Sequence, residues 1–507
     1  MLARPDRQTQ DSAMRSSPFA ICRRSAYLGL ALLAACPVVR ADALMGGAWV
    51  GSEAKVRAAA DQAGLTLPPN VSLATVEGAF PFFKPGDLDR DAPVGLLFVA
   101  GDQLETQQMV AFAFPVKDGA AKLDAIPNTQ KTDAADTVLM NGLAVRRTDG
   151  YLTVGASAPV VTQLDVPALV APMKPTAGVT PLARVWLDLA TWRSAAPTKF
   201  AAAMDGWHQT DMATASDPSP NGGAAWVERL VRTDLNNLSL AVDRTDHGWT
   251  ATTRLEPFRA AVATFDRPGL PADCVARADL QVPADALERT IVAVAENKQT
   301  QGAQNALAAR LITACFAGDA ESLGAAMVNG QPVLYSVAQR RVPGDLAAEV
   351  RSIADDGAKL SATPDRDSVA VPYTASDGST VYRFTLPIPG AAPVCVDVSA
   401  RGSYRYATVS RSTEKYVPAL AALPSAGTFD TAGSGWVDPG RAIDLAAGVA
   451  APTDPATVDR LKRLASLFGD ARLTWTARTA GGGLDVAVDV PEKLLHAIGP
   501  ILDLLHG

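Results

Sequence analysis

The chain has 507 residues, 48% hydrophobic and 20% charged, with 46 basic and 53 acidic side chains. That much apolar material excludes a disordered chain and exceeds what one hydrophobic core usually covers. Residues 1–43 hold six Arg and three Asp, so the remaining 464 carry 40 basic against 50 acidic groups, net −10. Such a balance argues against nucleic acid, or an anionic membrane surface, as the partner.

Residues 1–43 read as a signal peptide. Arg15, Arg23 and Arg24 precede an apolar stretch from Tyr27 to Val39, a length suited to export and short for a bilayer span. Two processing sites follow. Leu33-Ala34-Ala35-Cys36 fits a lipobox, with Cys36 as the acylated residue and a membrane tether. Ala41-Asp42-Ala43 fits simple cleavage before Leu44. Either route places the rest of the chain in the periplasm or cell envelope. No later apolar run escapes interruption by charges, Pro or Gly.

Two Ser-x-x-Lys stretches, Ser52 to Lys55 and Ser412 to Lys415, have the spacing with which penicillin-binding enzymes activate a serine. Those enzymes also need a Lys-Thr-Gly strand, and here Lys131-Thr132 is followed by Asp133. Asp87-Leu88-Asp89-Arg90-Asp91 alternates carboxylates as calcium loops do. It lacks the later Gly and Glu of an EF-hand, so a charged turn before a strand at Val94 is expected.

The segments PVGLLFVAGD, AFAFPVKDGAAKLDAI and RRTDGYLTVGASAPVV follow one another between residues 93 and 165. In this order, with Pro115-Val116-Lys117-Asp118 and Gly150-Tyr151-Leu152-Thr153-Val154, they resemble a group of exported bacterial proteins of unknown function. The resemblance implies export and an α+β architecture. It brings no activity, and Pro387-Ile388-Pro389-Gly390 has no Asp where Asp118 stands.

Internal repetition is the most informative feature. LSLAVDRTDHGWTATTRLEP (238–257) and LTWTARTAGGGLDVAVDVP (473–491) align without a gap: Leu238 meets Leu473, Gly248 meets Gly483 and Leu255 meets Val490. Each reads as two alternating strands joined by a turn in which the Gly supplies the positive φ. Val458, Leu461, Leu464, Ala465 and Phe468 form a helical stripe before the second hairpin, and PFRAAVATF and PEKLLHAIGPILDLL read as helices after the two hairpins. Upstream, Val185-Trp186-Leu187-Asp188 pairs with Gly435-Trp436-Val437-Asp438, and Tyr151 to Val154 pairs with Tyr406 to Val409.

The expected fold is therefore α+β: two tandem diverged copies of an antiparallel sheet packed by helices, 44–268 and 269–507, each ending helix–β-hairpin–helix. SDPSPNGG (216–223) reads as a surface insertion and RPGLPAD (267–273) as the linker.

Catalytic constellations are missing from the sequence. His208, His247, His496 and His506 are the only histidines, none spaced for a metal, and His247 falls in a turn. His496 reads as a core-edge residue. Cys274, Cys315 and Cys395 permit at most one bridge and lack metal-ligand spacing. No catalytic, cofactor or metal residues are assigned.

Trp186, Asp188, Trp436 and Asp438 are the repeated positions with site candidacy. Asp438 stands before Pro439, the favoured first residue of a helix, so capping is the simpler account. The sequence points to a non-catalytic envelope module that binds a protein or a lipid. The alternative is an exported hydrolase with a site where the two copies meet, built on Asp188 and Asp438. Intact mass of the exported protein decides its address: an acylated chain from Cys36 in membranes, or a free chain from Leu44.

Overall fold

A computed structural model describes residues 43–506 except 66–71, 81, 102–108, 127, 135, 157, 215–229, 259–261, 282–310, 312–317, 341–343, 361–369, 389–390 and 451–454. The leader with Cys36, the 216–223 insertion and Cys315 lie outside these residues. The fold is α+β, and its ladders are antiparallel. Two compact units are present.

The first unit comprises the described parts of Met1–Lys55, Pro68–Lys174 and Thr191–Lys199. Its strands are β1 (Ala43–Val50), β2 (Val94–Ala100), β3 (Val110–Pro115), β4 (Thr129–Lys131), β5 (Thr137–Met140), β6 (Leu143–Thr148) and β7 (Tyr151–Gly155). They pair in the order β1-β2-β3-β7-β6-β5-β4. Met140 pairs with Leu143 across Asn141-Gly142, both at positive φ, which is the backbone a two-residue hairpin loop needs. Phe80, Phe82, Phe83 and Phe114 cluster over Leu88, Val145, Leu152 and Val154 to form its core. Helix α1 is Glu53–Gln62, α2 Leu73–Ala79, α3 Ala158–Gln163 and α4 Val166–Val170. The Arg146 guanidinium donates to the carbonyls of Val161, Thr162 and Leu164 at the end of α3, supplying the partners a helix terminus lacks.

The second unit takes Val56–Leu67, Pro175–Ala190 and the described parts of Phe200–Gly507. After β8 (Val179–Asp188) come α5 (Leu189–Ala195) and α6 (Pro197–Thr214), of which Thr191–Lys199 counts with the first unit, and the hairpin β9 (Asn237–Thr245)–β10 (Gly248–Glu256). Then follow β11 (Phe265–Asp266), β12 (Ala276–Leu280), β13 (Ala320–Val328), β14 (Gln331–Gln339), α7 (Leu346–Leu360), β15 (Ala370–Thr374), β16 (Thr380–Ile388), β17 (Ala391–Arg401) and β18 (Tyr404–Ser410). Helix α8 (Val417–Ala421), β19 (Thr428–Phe429), β20 (Gly433–Val437), α9 (Pro439–Ala450), α10 (Pro455–Phe468), β21 (Leu473–Ala480), β22 (Gly483–Pro491) and α11 (Glu492–His506) complete the chain. The ladder runs β8-β9-β10-β22-β21-β20-β12-β13-β14-β18-β17-β16-β15. Compactness thus groups β8–β10 with the C-terminal half, a division unlike the one expected from sequence repetition, because β10 pairs with β22.

Several registers recur. Trp186 pairs with Ser239 and Trp436 with Thr474; Thr245 pairs with Gly248 and Ala480 with Gly483. The order β1-β2-β3-β7-β6-β5-β4 is matched by β12-β13-β14-β18-β17-β16-β15. Between β10 and β22, Thr252 pairs with Ala487, and the pairs on either side are Ala251–Val488 and Thr253–Val486.

Three expectations need correction. The turn of the first hairpin is Asp246-His247 and that of the second Gly481-Gly482; Gly248 opens β10 and does supply a positive φ, 139°, whereas Gly483 opens β22 and the positive φ belongs to Gly481 and Gly482. At Gly248 and Gly483 the β10–β22 contact leaves no room: a Cβ on Gly248 would stand 2.1 Å from the Val490 carbonyl oxygen, and one on Gly483 3.0 Å from that of Leu255. The segment PFRAAVATF is not helical over its described end. Phe258 N–H is held by the Gly482 carbonyl, and Phe265 pairs as a strand with Phe429. Finally, the hairpins Thr148–Tyr151 and Arg401–Tyr404 place Tyr404, not Tyr406, opposite in role to Tyr151.

Gly433 and Gly435 let β20 pass beneath the Trp475 indole, where Cβ atoms would lie 2.8 and 2.5 Å from the ring. Gly435→Ala is expected to destabilise the full chain by roughly 1–3 kcal/mol through overpacking. Gly206→Ala, in α6 with open space around it, is expected to stabilise it by roughly 0.5–1 kcal/mol. Denaturant midpoints of the two variants check the pair.

Candidate functional site: an apolar sheet face

Asp438 and Asp188 do not form a pair. Asp438 is buried and its Oδ1 accepts the Arg441 N–H at 3.0 Å, so it caps α9, while its own N–H donates to the Val275 carbonyl. Asp188 ends β8 immediately before α5, in register with Asn237. β8 and β20 are five ladder steps apart, about 24 Å at the usual inter-strand spacing. Trp436 is half-buried under the Arg472 guanidinium, 4.1 Å from its ring, and packs against the core of Cys274, Tyr335 and Val337. Trp186 is half-buried on the same sheet face as Ser239.

The other motifs are used locally. Ser52 Oγ accepts the Lys55 N–H at the start of α1, and Ser412 Oγ accepts that of Glu414. Lys415 lies 4.2 Å over the Tyr373 ring, a cation–π contact rather than a base beside Ser412. Asp87 and Asp89 accept the backbone N–H groups of Lys84 and Asp91, as turn residues do. The His247 carbonyl accepts the Glu492 N–H. His496 is exposed rather than at a core edge, 4.0 Å from Glu492 one helical turn away. The side chains of His208 and His506 lie outside the described residues. Cys274 and Cys395 are buried free thiols, and burial pushes the Cys274 thiol up to about 11.

Four buried carboxylates among the described residues, Glu77, Asp279, Glu321 and Asp397, carry no motif in the sequence. Asp397 takes a two-pronged bond from Arg383, both contacts 2.7 Å, and one from the Tyr373 hydroxyl. Arg383 also donates to the carbonyls of Thr413 and Glu414, so the network ties β16 and β17 to the loop after β18. Burial, then the Asp397 charge, raises the Tyr373 phenol. Glu321 on β13 has no such cation; its bond is from the Ser336 hydroxyl at 2.8 Å, and burial pushes its carboxyl up to about 8. The one signal in sequence is an acid in the otherwise small and apolar strand AESLGAAMV.

The feature best suited to meet another molecule is one face of the strands β8, β9, β10, β22 and β21. Strand alternation puts Leu187, Leu238, Leu255, Leu484 and Thr479 in one row, Val185, Leu240, Thr253, Val486 and Ala477 in the next, and Ala183, Val242, Ala251, Val488 and Trp475 in a third. Apart from the Thr253 and Thr479 hydroxyls and the Trp475 indole N–H, these side chains have no polar atoms. Yet in β9, β10 and β22 none of them is fully buried, and Leu240 is 38% exposed. By contrast β7 is buried at every position. Helix α11 packs against β10 and β22.

The opposite face is polar. Arg184 pairs with Asp243, Thr250 donates to Asp489 at 2.7 Å, and Arg254 spans both oxygens of Asp485 at 2.9 and 3.0 Å. Among the described residues no three His, Cys, Asp or Glu side chains gather as metal ligands would. No known protein family, curated protein or solved structure matches this chain.

Glu321 gives a pH prediction. Its folded-state pKa lies above the ordinary carboxyl value of 4.5, so the folded state holds its proton more tightly than the unfolded one. Stability is therefore highest below about pH 4.5 with respect to this group. It falls by at most about 1.4 kcal/mol per pH unit up to about pH 8. Glu321→Gln is expected to raise the thermal midpoint at pH 8 and leave it unchanged at pH 4.5.

Proposed function

We propose that this chain is an exported, non-catalytic module of the cell envelope, and that it binds an apolar ligand of the acyl-chain type. The carrying observation is the three-row aliphatic face of β8–β10, β22 and β21, whose side chains stay partly open although they are apolar. Burying such a face stabilises by roughly 25 cal/mol per Å² of apolar surface, a strong incentive for occupancy. Protein interfaces are enriched in Tyr, Arg and Met at their centres, whereas these rows are Leu, Val and Ala with two Thr and one Trp; that favours hydrocarbon. The use of Asp438 as the cap of α9 supports this reading over a hydrolase at the meeting of two copies.

In this reading the chain is a tandem duplication of one α+β unit, each copy ending in a hairpin, with the binding face spread across both. The matching strand orders support it, as do the recurring pairs Trp186–Ser239 and Trp436–Thr474. Export and the alternatives at Cys36 and Ala43 belong to the same proposal and rest on the leader. Among the described residues no helix is long and apolar enough to cross a membrane.

Mass spectrometry of organic extracts of the purified exported protein, with titration by a fluorescent fatty acid, tests the proposal. Stoichiometric co-purified lipid and displaceable probe are expected, and Leu240→Asp with Val486→Asp should lower probe affinity at least tenfold while circular dichroism is unchanged. Absence of lipid and probe binding, with cross-links to an envelope protein, would replace the lipid by a protein partner.

A further inference from the structure

The contact between β10 and β22 has a chemical asymmetry. On the polar face of this seam Arg254 stands opposite Asp485, Thr252 opposite Ala487 and Thr250 opposite Asp489. Both acids are engaged: Arg254 bonds both oxygens of Asp485, and the Thr250 hydroxyl donates to Asp489. Arg478 of β21 flanks Asp485 on the other side, so that row alternates in sign.

Thr252–Ala487 lies near the middle of the register, which runs through eight pairs from Gly248–Pro491 to Leu255–Leu484. The same geometry can be built from two β22 strands of separate chains, with Ala487 opposite Ala487. The apolar face tolerates this: Leu484 would meet Val490, and Val486 would meet Val488. The polar face does not. Asp485 would meet Asp489, and by symmetry the pair would occur twice. Directly opposed Cβ atoms lie about 5 Å apart in such ladders, where like charges repel and neither acid keeps its Arg or Thr.

We infer that β10–β22 is a charge-coded strand interface: β22 accepts the Thr/Arg strand β10 and rejects a second β22 in the same register. A strand edge rich in backbone donors and acceptors is a ready site for unwanted pairing, and charge placed by register is a known means of blocking it. This inference rests on the observed register alone and stands whether or not the apolar face takes lipid.

The test keeps the full chain. Thr250→Asp with Arg254→Asp gives β10 the acidic pattern of β22, so the seam then presents the row that self-pairing would create. Thr250→Asn with Arg254→Asn removes the native bonds without adding like charge. At low ionic strength the Asp variant should lose roughly 3–8 °C of thermal midpoint beyond the Asn variant. Part of that difference should return in 0.5 M salt, because exposed charges are screened. Adding Asp485→Asn and Asp489→Asn should restore the Asp variant to the midpoint of the Asn variant, and this suppression remains readable if the Asp variant fails to fold alone. Equal midpoints for the Asp and Asn variants at low salt, or no suppression by the second pair, would overturn the inference.

Discussion

The larger unit depends on the eight backbone pairs from Gly248–Pro491 to Leu255–Leu484. They join strands whose central residues are 235 positions apart (252 to 487), and they tie the β8–β9–β10 ladder to β22. Close approach is the condition for them. Gly248 and Gly483 have backbone where any other residue would put a side chain, and Pro491 ends the strand and leads straight into α11. The aliphatic rows and the charged rows are two faces of that one contact. A one-residue slip would exchange them, exposing Val486 and Val488 where Arg254 and Asp485 now meet water.

Much of this was legible in the sequence wherever a local rule is strong. The alternation Leu484-Asp485-Val486-Ala487-Val488-Asp489-Val490 gave a strand with one apolar face, and the 455–468 stripe gave a helix of nearly the observed length. What could not be read was long-range. Gly248 reads as a turn glycine and has the positive φ of one; its second role, leaving room for a strand over two hundred residues later, has no local signal. PFRAAVATF has helical periodicity, but the Gly482 carbonyl and the Phe429 strand claim its backbone.

The site was legible to a lesser degree. Asp188 and Asp438 recur because each stands where a strand gives way to a helix, a local need that mimics a functional pair. Residue type alone did not separate the two. The apolar rows were visible as pattern, but their incomplete burial is a property of what packs on them. Glu321 was invisible for the same reason: its neighbour Ser336 belongs to another strand, and burial, not sequence, sets its titration.

The seam also sets an order of events for the growing chain. β10 is complete long before β22 is made, so its hydrogen-bonding edge waits through some 227 further residues (from Glu256 to Gly483) before its partner exists. Contacts of such separation form late, since the entropy of closing the intervening loop must be met first. Through that interval the Thr and Arg side chains of β10 face water without their acidic mates, and an unpaired edge of this kind is where nascent chains meet one another. Synthesis and closure of the ladder are thereby coupled: β10 acquires its final neighbour only when β22 arrives.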